Sequence, residues 1–510
     1  MPVPVAPTAF HPLRRQAIWR LALSLVVPVL LIGPAAPIGG GPWLGSPTAA
    51  AATSTSTGLS TTLVGPRRAL PRHFLGVNAE SFVLPTDARL MTSSALQSKL
   101  AAMPGAVLRI QGGTTSQWID WQNGQLIDQP GSPFASVSPS RPALTLRDWA
   151  RLVKGSKATP LWDLNVLTSS LARQLSMLRR ARSLGLSVRY VELGNELWDP
   201  EGPYVARFPT GASYGAAMNP WIVAIRKAFP GVAIAVSGAD ESDPQLNGGG
   251  IRYTSWNESL LTTVRGESAI AIHPYWSLPD QEAPGSDVVG TLTAGQVHWD
   301  GFSKSLDSIP EGVQVWLTEW NQAGRFAPMG SQIWAQALAV DAFVLDSLGD
   351  PQITMSLLHD LIDGAKQPQD VSASNVFPLF TDGSDGSTPL SRTALGYAFP
   401  FLVRAITGEQ GAQTLKVRDG PEVGGQSGVI AVALTGARPS AILVNLTANP
   451  VVVSLPRSLD KPTRLTWLSA APTSQPGWVS TDHVASGVAR VYKTVRLPAY
   501  SVDQLSAASS

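Results

Sequence analysis

Cysteine is absent from all 510 residues, which excludes disulfide frameworks, thiolate zinc sites and thiol nucleophiles. Charge is scarce as well. Asp, Glu, Lys and Arg make up 15% of the chain, with 38 basic against 36 acidic residues, where a usual globular protein carries about a quarter. A balance this even leaves no electrostatic footprint for nucleic acid, so that class of partner drops out. Histidine is sparse too: His11, His73, His273, His298, His359 and His483, none in an HExxH or comparable spacing. The sequence therefore predicts no metal. The triple glycine 248–250 follows no strand closely and lacks a Lys-Ser/Thr. It reads as a loop and not a phosphate cradle, and no cofactor is expected.

Long apolar runs are confined to the head of the chain. Arg14, Arg15 and Arg20 precede an apolar stretch over residues 21–32, followed by Gly33, Pro34 and Ala36. A basic lead, an apolar centre and small residues after it describe a secretory signal, and the Arg14–Arg15 pair fits twin-arginine export only in part. The competing reading is a retained anchor through residues 21–39. The clean run is shorter than the roughly 20 residues a spanning helix needs, although extension through Pro34 and Pro37 reaches that length. Residues 1–46 are thus a signal peptide or a membrane anchor. The expected location is outside the cytoplasm: secreted, periplasmic or tethered. Residues 47–62, dominated by Ala, Ser and Thr, cannot bury a core and read as a linker.

From Phe74 the chain settles into a rhythm of short apolar strand, polar or Gly-rich loop and amphipathic helix. Strands are predicted at residues 74–78, 106–110, 160–165, 188–193, 232–237, 269–273, 313–318 and 352–358, with helices between them such as 167–184 and 217–229. Strands alternating with helices pair in parallel through right-handed crossovers, and this number closes into a (β/α)8 barrel over residues 63–405. After a last helix at 391–406 the texture changes. Short β-rich runs at 429–433, 440–446, 451–455, 464–468, 490–495 and 501–505 predict an antiparallel β-sandwich over residues 406–510. Residues 60–64 are a candidate sandwich strand from the other end. No internal repeat is found.

Two glutamates then stand out. Glu196 closes the run 188–198 (VRYVELGNELW) and Glu319 the run 313–321 (VQVWLTEWN), each at the C-terminal tip of a predicted barrel strand, where active-site residues of such barrels sit. Two facing carboxylates are the equipment for glycosidic cleavage: one acid protonates the leaving oxygen while the other attacks the anomeric carbon or stabilises its charge. Beside an amide and aromatic walls such as Trp198, Glu196 can be raised by desolvation and serve as general acid. A nucleophile must stay ionised. Arg109 in VLRIQGG and Tyr275 in IHPYW offer Glu319 a positive charge and a phenol, and Trp320 flanks it. His273 reads equally well as a structural histidine or a substrate ligand. The 16 tryptophans, against 8 tyrosines, divide between core and a sugar-stacking cleft.

The order LRIxGG, LGNE, HPY and TEWN after strands two, four, six and seven resembles the clan A glycoside hydrolases. Within the clan the chain is most similar to family 51 α-L-arabinofuranosidases, through GVNAE ending in Glu80, TEWN with the helix after it at 333–348, and LPAYSV at 497–502. Heparanase-like β-glucuronidases come second. The resemblance covers roughly residues 60–506. It implies Glu196 as acid/base, Glu319 as nucleophile, Asn195 as partner of the substrate 2-hydroxyl, Glu80 as a substrate contact, and Arg109 and Tyr275 as supports of the nucleophile. It also implies retention of configuration, with carboxyl groups about 5–5.5 Å apart. The chain departs from family 51 after strand two, where Ile110-Gln111-Gly112-Gly113 stands in place of the usual Pro-Gly-Gly.

One motif competes. Gly211-Ala212-Ser213-Tyr214-Gly215 fits G-x-S-x-G, the serine elbow of α/β-hydrolases, which needs an apolar strand before it. Arg207-Phe208-Pro209-Thr210 stands there instead, so a helix entry capped by Thr210 or Ser213 is the plainer reading. The sequence predicts an exported retaining glycosidase acting on a polysaccharide or oligosaccharide. The alternatives are a non-catalytic carbohydrate-binding or wall-associated barrel and, third, a serine esterase. Sugar, linkage and oligomeric state are not legible.

Overall fold

Eight parallel strands close into a barrel: Leu75–Glu80, Val107–Gly112, Thr159–Asp163, Tyr190–Leu193, Ala233–Ser237, Ala269–Ile272, Gln314–Gln322 and Ile353–Leu358. The structure is a computed structural model. It describes residues 58–80, 91–127, 131–132, 144–242, 250–276, 287–322, 333–363, 378–381, 390–459 and 463–507. The expected signal or anchor, most of the linker, and Gly248 and Gly249 lie outside the described residues. Each barrel strand pairs with the one before it in sequence, and the eighth returns to the first through Ser356 and Leu75. All eight predicted strands are present. Their near-continuous burial is the reason they read as unbroken apolar runs. Among the described residues no helix is long and apolar enough to cross a membrane.

The barrel is plugged from below. Val107, Leu161, Ala235, Ala269, Ala271, Trp316, Met355 and Leu357 form one interior cluster, in which the Trp316 indole lies among three alanines. Two residues further along strands two, three and four, the inward positions become Arg109, Asp163 and Glu192, all buried. Period-two alternation lifts these side chains toward the C-terminal mouth. Outside, the helices start where the sequence supplies caps. Thr145 and Thr210 form capping boxes, and Ser170 and Thr393 accept from the first-turn N–H groups.

A seven-stranded antiparallel sheet comes next, in the order Thr61–Ala69, Gly411–Val417, Val429–Thr435, Ser440–Asn445, Ser501–Ala507, Thr463–Ser469, Ala485–Val491. The pair Val451–Ser454 and Thr494–Leu497 packs against it through Leu415, Val429, Leu443, Val453, Val495 and Leu505. The opposite face, with Ile430, Val432, Ile442 and Val444, joins the barrel core together with the helix Trp334–Ser347. Both faces of this sheet are apolar. Three details differ from the sequence reading. The barrel does not begin at residue 63, because Thr61–Ala69 pairs with Gly411–Val417 in the sandwich. Strand Gly411–Val417, whose sequence GAQTLKV carries too few apolar residues to stand out, went unpredicted. The run 490–495 is split between two strands by Lys493 in the left-handed region.

Candidate active site

Arg109 is the centre of the barrel mouth. Its Nε and Nη2 donate to the two oxygens of Glu192, each at 2.9 Å, a bidentate grip. Nη2 also reaches Asp163 Oδ2 at 3.1 Å and Asn195 Oδ1 at 2.9 Å, while Nη1 donates to Glu319 Oε2 at 2.8 Å and Asn78 Oδ1 at 3.3 Å. Burial lowers the pKa of such a guanidinium, but Glu192, Asp163 and Glu319 outweigh it and hold the charge firmly. Burial raises Asp163 well above the usual carboxylate range despite Arg109. Glu192 goes the other way. Burial would raise it, but Arg109 and then His273 bring it down.

Glu319 reaches this hub through a bulge. Leu317 pairs with Ser356 but Trp320 with Leu358, so strand seven carries one residue more than its neighbour over that span. The extra residue lets both Thr318 and Glu319 point into the mouth while Trp320 turns outward. Tyr275 donates to Glu319 Oε1 at 2.7 Å, and Asn78 Nδ2 lies 3.3 Å from Oε2. Burial alone would raise this carboxyl. His359, His273 and Arg109, with the Tyr275 hydrogen bond, more than reverse that and bring it to about 2. His359 is itself lowered to about 4, chiefly by burial. At neutral pH the working positive charges are therefore Arg109 and His273, while the neutral His359 ring accepts from Asn78 Nδ2 at 2.7 Å.

Glu196 faces this pair from strand four. The turn is built by Gly194, at φ 89°, and by Glu196 itself, at φ 45°. A Cβ on Gly194 would stand 2.8 Å from both Leu197 Cδ1 and Val166 Cγ2, so only glycine fits. Glu196 Oε1 receives a hydrogen bond from His273 Nδ1 at 3.1 Å, and Asn195 Nδ2 lies 3.5 Å from Oε2. His273 Nε2 meets Thr318 Oγ1 at 3.0 Å, and Thr318 in turn donates to Glu192. Burial would lower His273, but Glu319, Glu192 and Glu196 raise it to about 10. One ligand atom from each of Glu196, His273 and Glu319 lies within 4.8 Å of the others. Such a spacing also suits a cation, beside the fixed positive charge that Arg109 places on Glu319. The Glu196 side chain is 23% exposed and that of Glu319 10%, so one acid meets the cleft and the other sits beneath it.

No protein-family model matches this sequence, and no curated protein matches it. Solved structures do. The α-L-arabinofuranosidase of Thermotoga maritima, in its arabinose complex, superposes with a TM-score of 0.64 at 15% identity, over 88% of this chain and 99% of that one. AbfB, a family 51 α-L-arabinofuranosidase from Bifidobacterium longum, gives 0.64 at 12% identity over the same shares. A 4-O-α-L-rhamnosyl-β-D-glucuronidase from Fusarium oxysporum 12S gives 0.59 at 16%, again over 88% and 99%. The chain has the fold of the family 51 arabinofuranosidases. Barrel and sandwich are matched together, as the sequence resemblance implied.

On that arabinofuranosidase-type scaffold, Glu196, Glu319, Asn195, Arg109, Tyr275 and His273 converge at one mouth. Two expected contacts do not join them. Trp320 is buried outside the barrel, stacked on Trp276 at 6.2 Å and packed against Phe343 and Phe399. The bulge that brings Glu319 in sends its neighbour out. Trp198 is likewise buried, edge-on to Tyr253 at 5.2 Å. Glu80 ends strand one, but its side chain lies outside the described part of the structure. Asn78, His359, Asp163 and Glu192 were missed. A signal existed for each of them: Asn78 ends the predicted strand 74–78, while Asp163 and Glu192 are acids inside apolar strand runs. His359 sits just past strand eight, where the same strand-tip rule applies. The serine elbow is not formed. Ser213 lies in the first turn of the helix Gly211–Ala228, its hydroxyl donating to the Thr210 carbonyl at 2.7 Å.

Proposed function

We propose that this chain is a retaining glycoside hydrolase with Glu319 as nucleophile and Glu196 as acid/base. The observation that carries the reading is the pair of carboxylates with oxygens within 4.8 Å in opposite surroundings. This closeness fits the roughly 5 Å of double displacement and not the 6.5–9.5 Å that an inverting water requires. Glu319, kept ionised by Arg109, His273 and the Tyr275 phenol, attacks the anomeric carbon. Glu196, at the rim, delivers its proton to the departing oxygen and then takes one from water. Asn195 is fixed by its Oδ1 accepting from Arg109, which turns its amide N–H groups toward Glu196 and a sugar hydroxyl. The fold shared with structures named as arabinofuranosidases and a glucuronidase supports a carbohydrate substrate. The basic and apolar head supports export, and a polysaccharide or its fragments as the target.

The test is a screen of nitrophenyl arabinofuranosides, glucuronides, xylosides and glucosides. Glu319→Gln is expected to abolish turnover. Glu196→Gln should spare kcat/KM on dinitrophenyl substrates and lose on the order of 10²–10⁴-fold in kcat/KM on poor leaving groups, the usual worth of general acid catalysis. A mechanism-based fluorosugar should label Glu319. No turnover and no labelling would overturn the reading in favour of a barrel that only binds.

A further inference from the structure

The loop that carries Glu196 is held from outside the mouth by one side chain. Arg252, in the short helix Ile251–Thr254, donates from Nη2 to the Leu197 carbonyl at 2.6 Å and from Nε to the Trp198 carbonyl at 2.9 Å. Its Nη1 reaches the carbonyls of Phe208 at 2.6 Å and Pro209 at 2.5 Å. These four acceptors are the two residues after Glu196 and the two that end the same loop, just ahead of the Thr210 cap. The guanidinium plane also lies over the Trp256 ring, 4.7 Å from its centroid, a second surface that fixes its orientation. Two further bonds complete the turn. Ser237 Oγ accepts from Leu197 N at 3.2 Å, and Asp199 N donates to the Glu196 carbonyl at 3.0 Å.

The turn needs holding. Glu196 is a non-glycine residue at φ 45°, a region that persists for such a residue only where the surroundings over-determine it. Nothing in the residue's own chemistry favours that conformation. The bonds on both sides of it do.

We propose that Arg252 is the positioning residue of the acid/base: it touches no reacting atom, but its four carbonyl contacts keep Glu196 in the strained turn that aims it at the departing oxygen. The inference rests on the glycosidase reading above. Lysine cannot replace it, since one ammonium has three donors on a flexible stem and no planar fork to span both ends of a loop. A misplacement of about 1 Å at a reacting group costs on the order of 10²-fold in rate. That loss should fall on the two steps in which Glu196 moves a proton, protonation of the departing oxygen and deprotonation of the attacking water, because the groups that hold Glu319 hang from other strands.

The experiment takes the full-length chain and the sugar identified by the glycoside screen, offered as dinitrophenyl, nitrophenyl and unsubstituted phenyl glycosides. Arg252→Ala and Arg252→Lys should leave kcat/KM on the dinitrophenyl glycoside, which reports the first step only, within a few-fold of wild type and lower kcat/KM on the phenyl glycoside by on the order of 10²-fold. The rate of labelling at Glu319 by a fluorosugar with a good leaving group should be unchanged. Ser237→Ala, which removes the bond to Leu197 N and leaves Arg252 in place, should repeat the pattern more weakly and serves if the Arg252 variants do not fold. Equal losses of kcat/KM on every leaving group, or none on any, would overturn the positioning role. Glu196→Gln is run in parallel: if it too lacks leaving-group dependence, the fault lies in the acid/base assignment and not in Arg252.

Discussion

Arg109 divides five N–H donors among Glu192, Asp163, Glu319, Asn195 and Asn78, and the three carboxyls around it are not equivalent. Burial raises Asp163, whereas the cationic neighbours of Glu192 and Glu319 more than reverse the effect of burial on those two. This makes unequal predictions for two neighbouring acids. Asp163→Asn keeps an acceptor oxygen for Arg109 at the one carboxyl whose ionised form burial disfavours on balance, and should alter stability by no more than about 1 kcal/mol. Glu192→Gln strips the bidentate partner from a buried guanidinium, and breaking such a pair costs about 3–5 kcal/mol. Urea denaturation at pH 7 checks both; equal costs would mean that Asp163 is ionised in the folded chain. At this scale the sequence was informative where chemistry is conspicuous. Glu196, Glu319, Arg109 and Tyr275 are charged or phenolic groups at strand tips. Asn78 carries no charge and His359 comes after its strand without a companion motif, so a place at a strand end was the one signal either gave.

Strands two and seven each carry one extra residue, and both bulges lie beside the reacting groups. In strand two, Ala79 faces Ile110 and Glu80 faces Gly112, which leaves Gln111 unpaired at φ 59°. Strict alternation could not have found this. Counted by twos from Trp316, which points inward, Glu319 would face the outer helices and Trp320 the mouth. The sequence reading put both in the site, and only the bulge shows which one belongs there. Gly112 is the element-level test. A Cβ there would lie 2.1 Å from Asn78 Oδ1 and 2.8 Å from Arg109 Nη1, side chains that cannot retreat without leaving Glu319 and Glu192. Gly112→Ala should therefore destabilise by about 1–3 kcal/mol through overpacking and lower turnover on every leaving group alike. Thermal melts and the aryl glycoside series read the two effects, and a wild-type profile would show that the hub has room to shift.

For the molecule as a whole, the (β/α)8 rhythm was legible because buried parallel strands and capped helices leave strong local marks. The seam between barrel and sandwich was legible only in part: residues 60–64 read as a sandwich strand and Thr61–Ala69 is one, but its partner Gly411–Val417 and the two-sided sheet are fixed by contacts distant in sequence. That seam holds the helix Trp334–Ser347, almost wholly buried, and within it Asp341, whose two carboxyl oxygens have no hydrogen-bond partner among the described residues. Burial raises its pKa well above the ordinary 3.8. The folded chain thus keeps a proton that the unfolded chain releases, and where the native state binds more protons stability falls with rising pH. The stabilising contribution is complete below about pH 4 and is lost progressively above it. Asp341→Asn has nearly the same shape and cannot ionise. Its melting temperature should match wild type near pH 4 and exceed it at pH 8, by about 1 °C per kcal/mol given an unfolding entropy of roughly 2 cal/mol/K per residue in a folded unit of this size. Melts across that range decide the matter. A constant offset at both ends would mean that the carboxyl is ionised within the fold and has found a counter-charge in the seam.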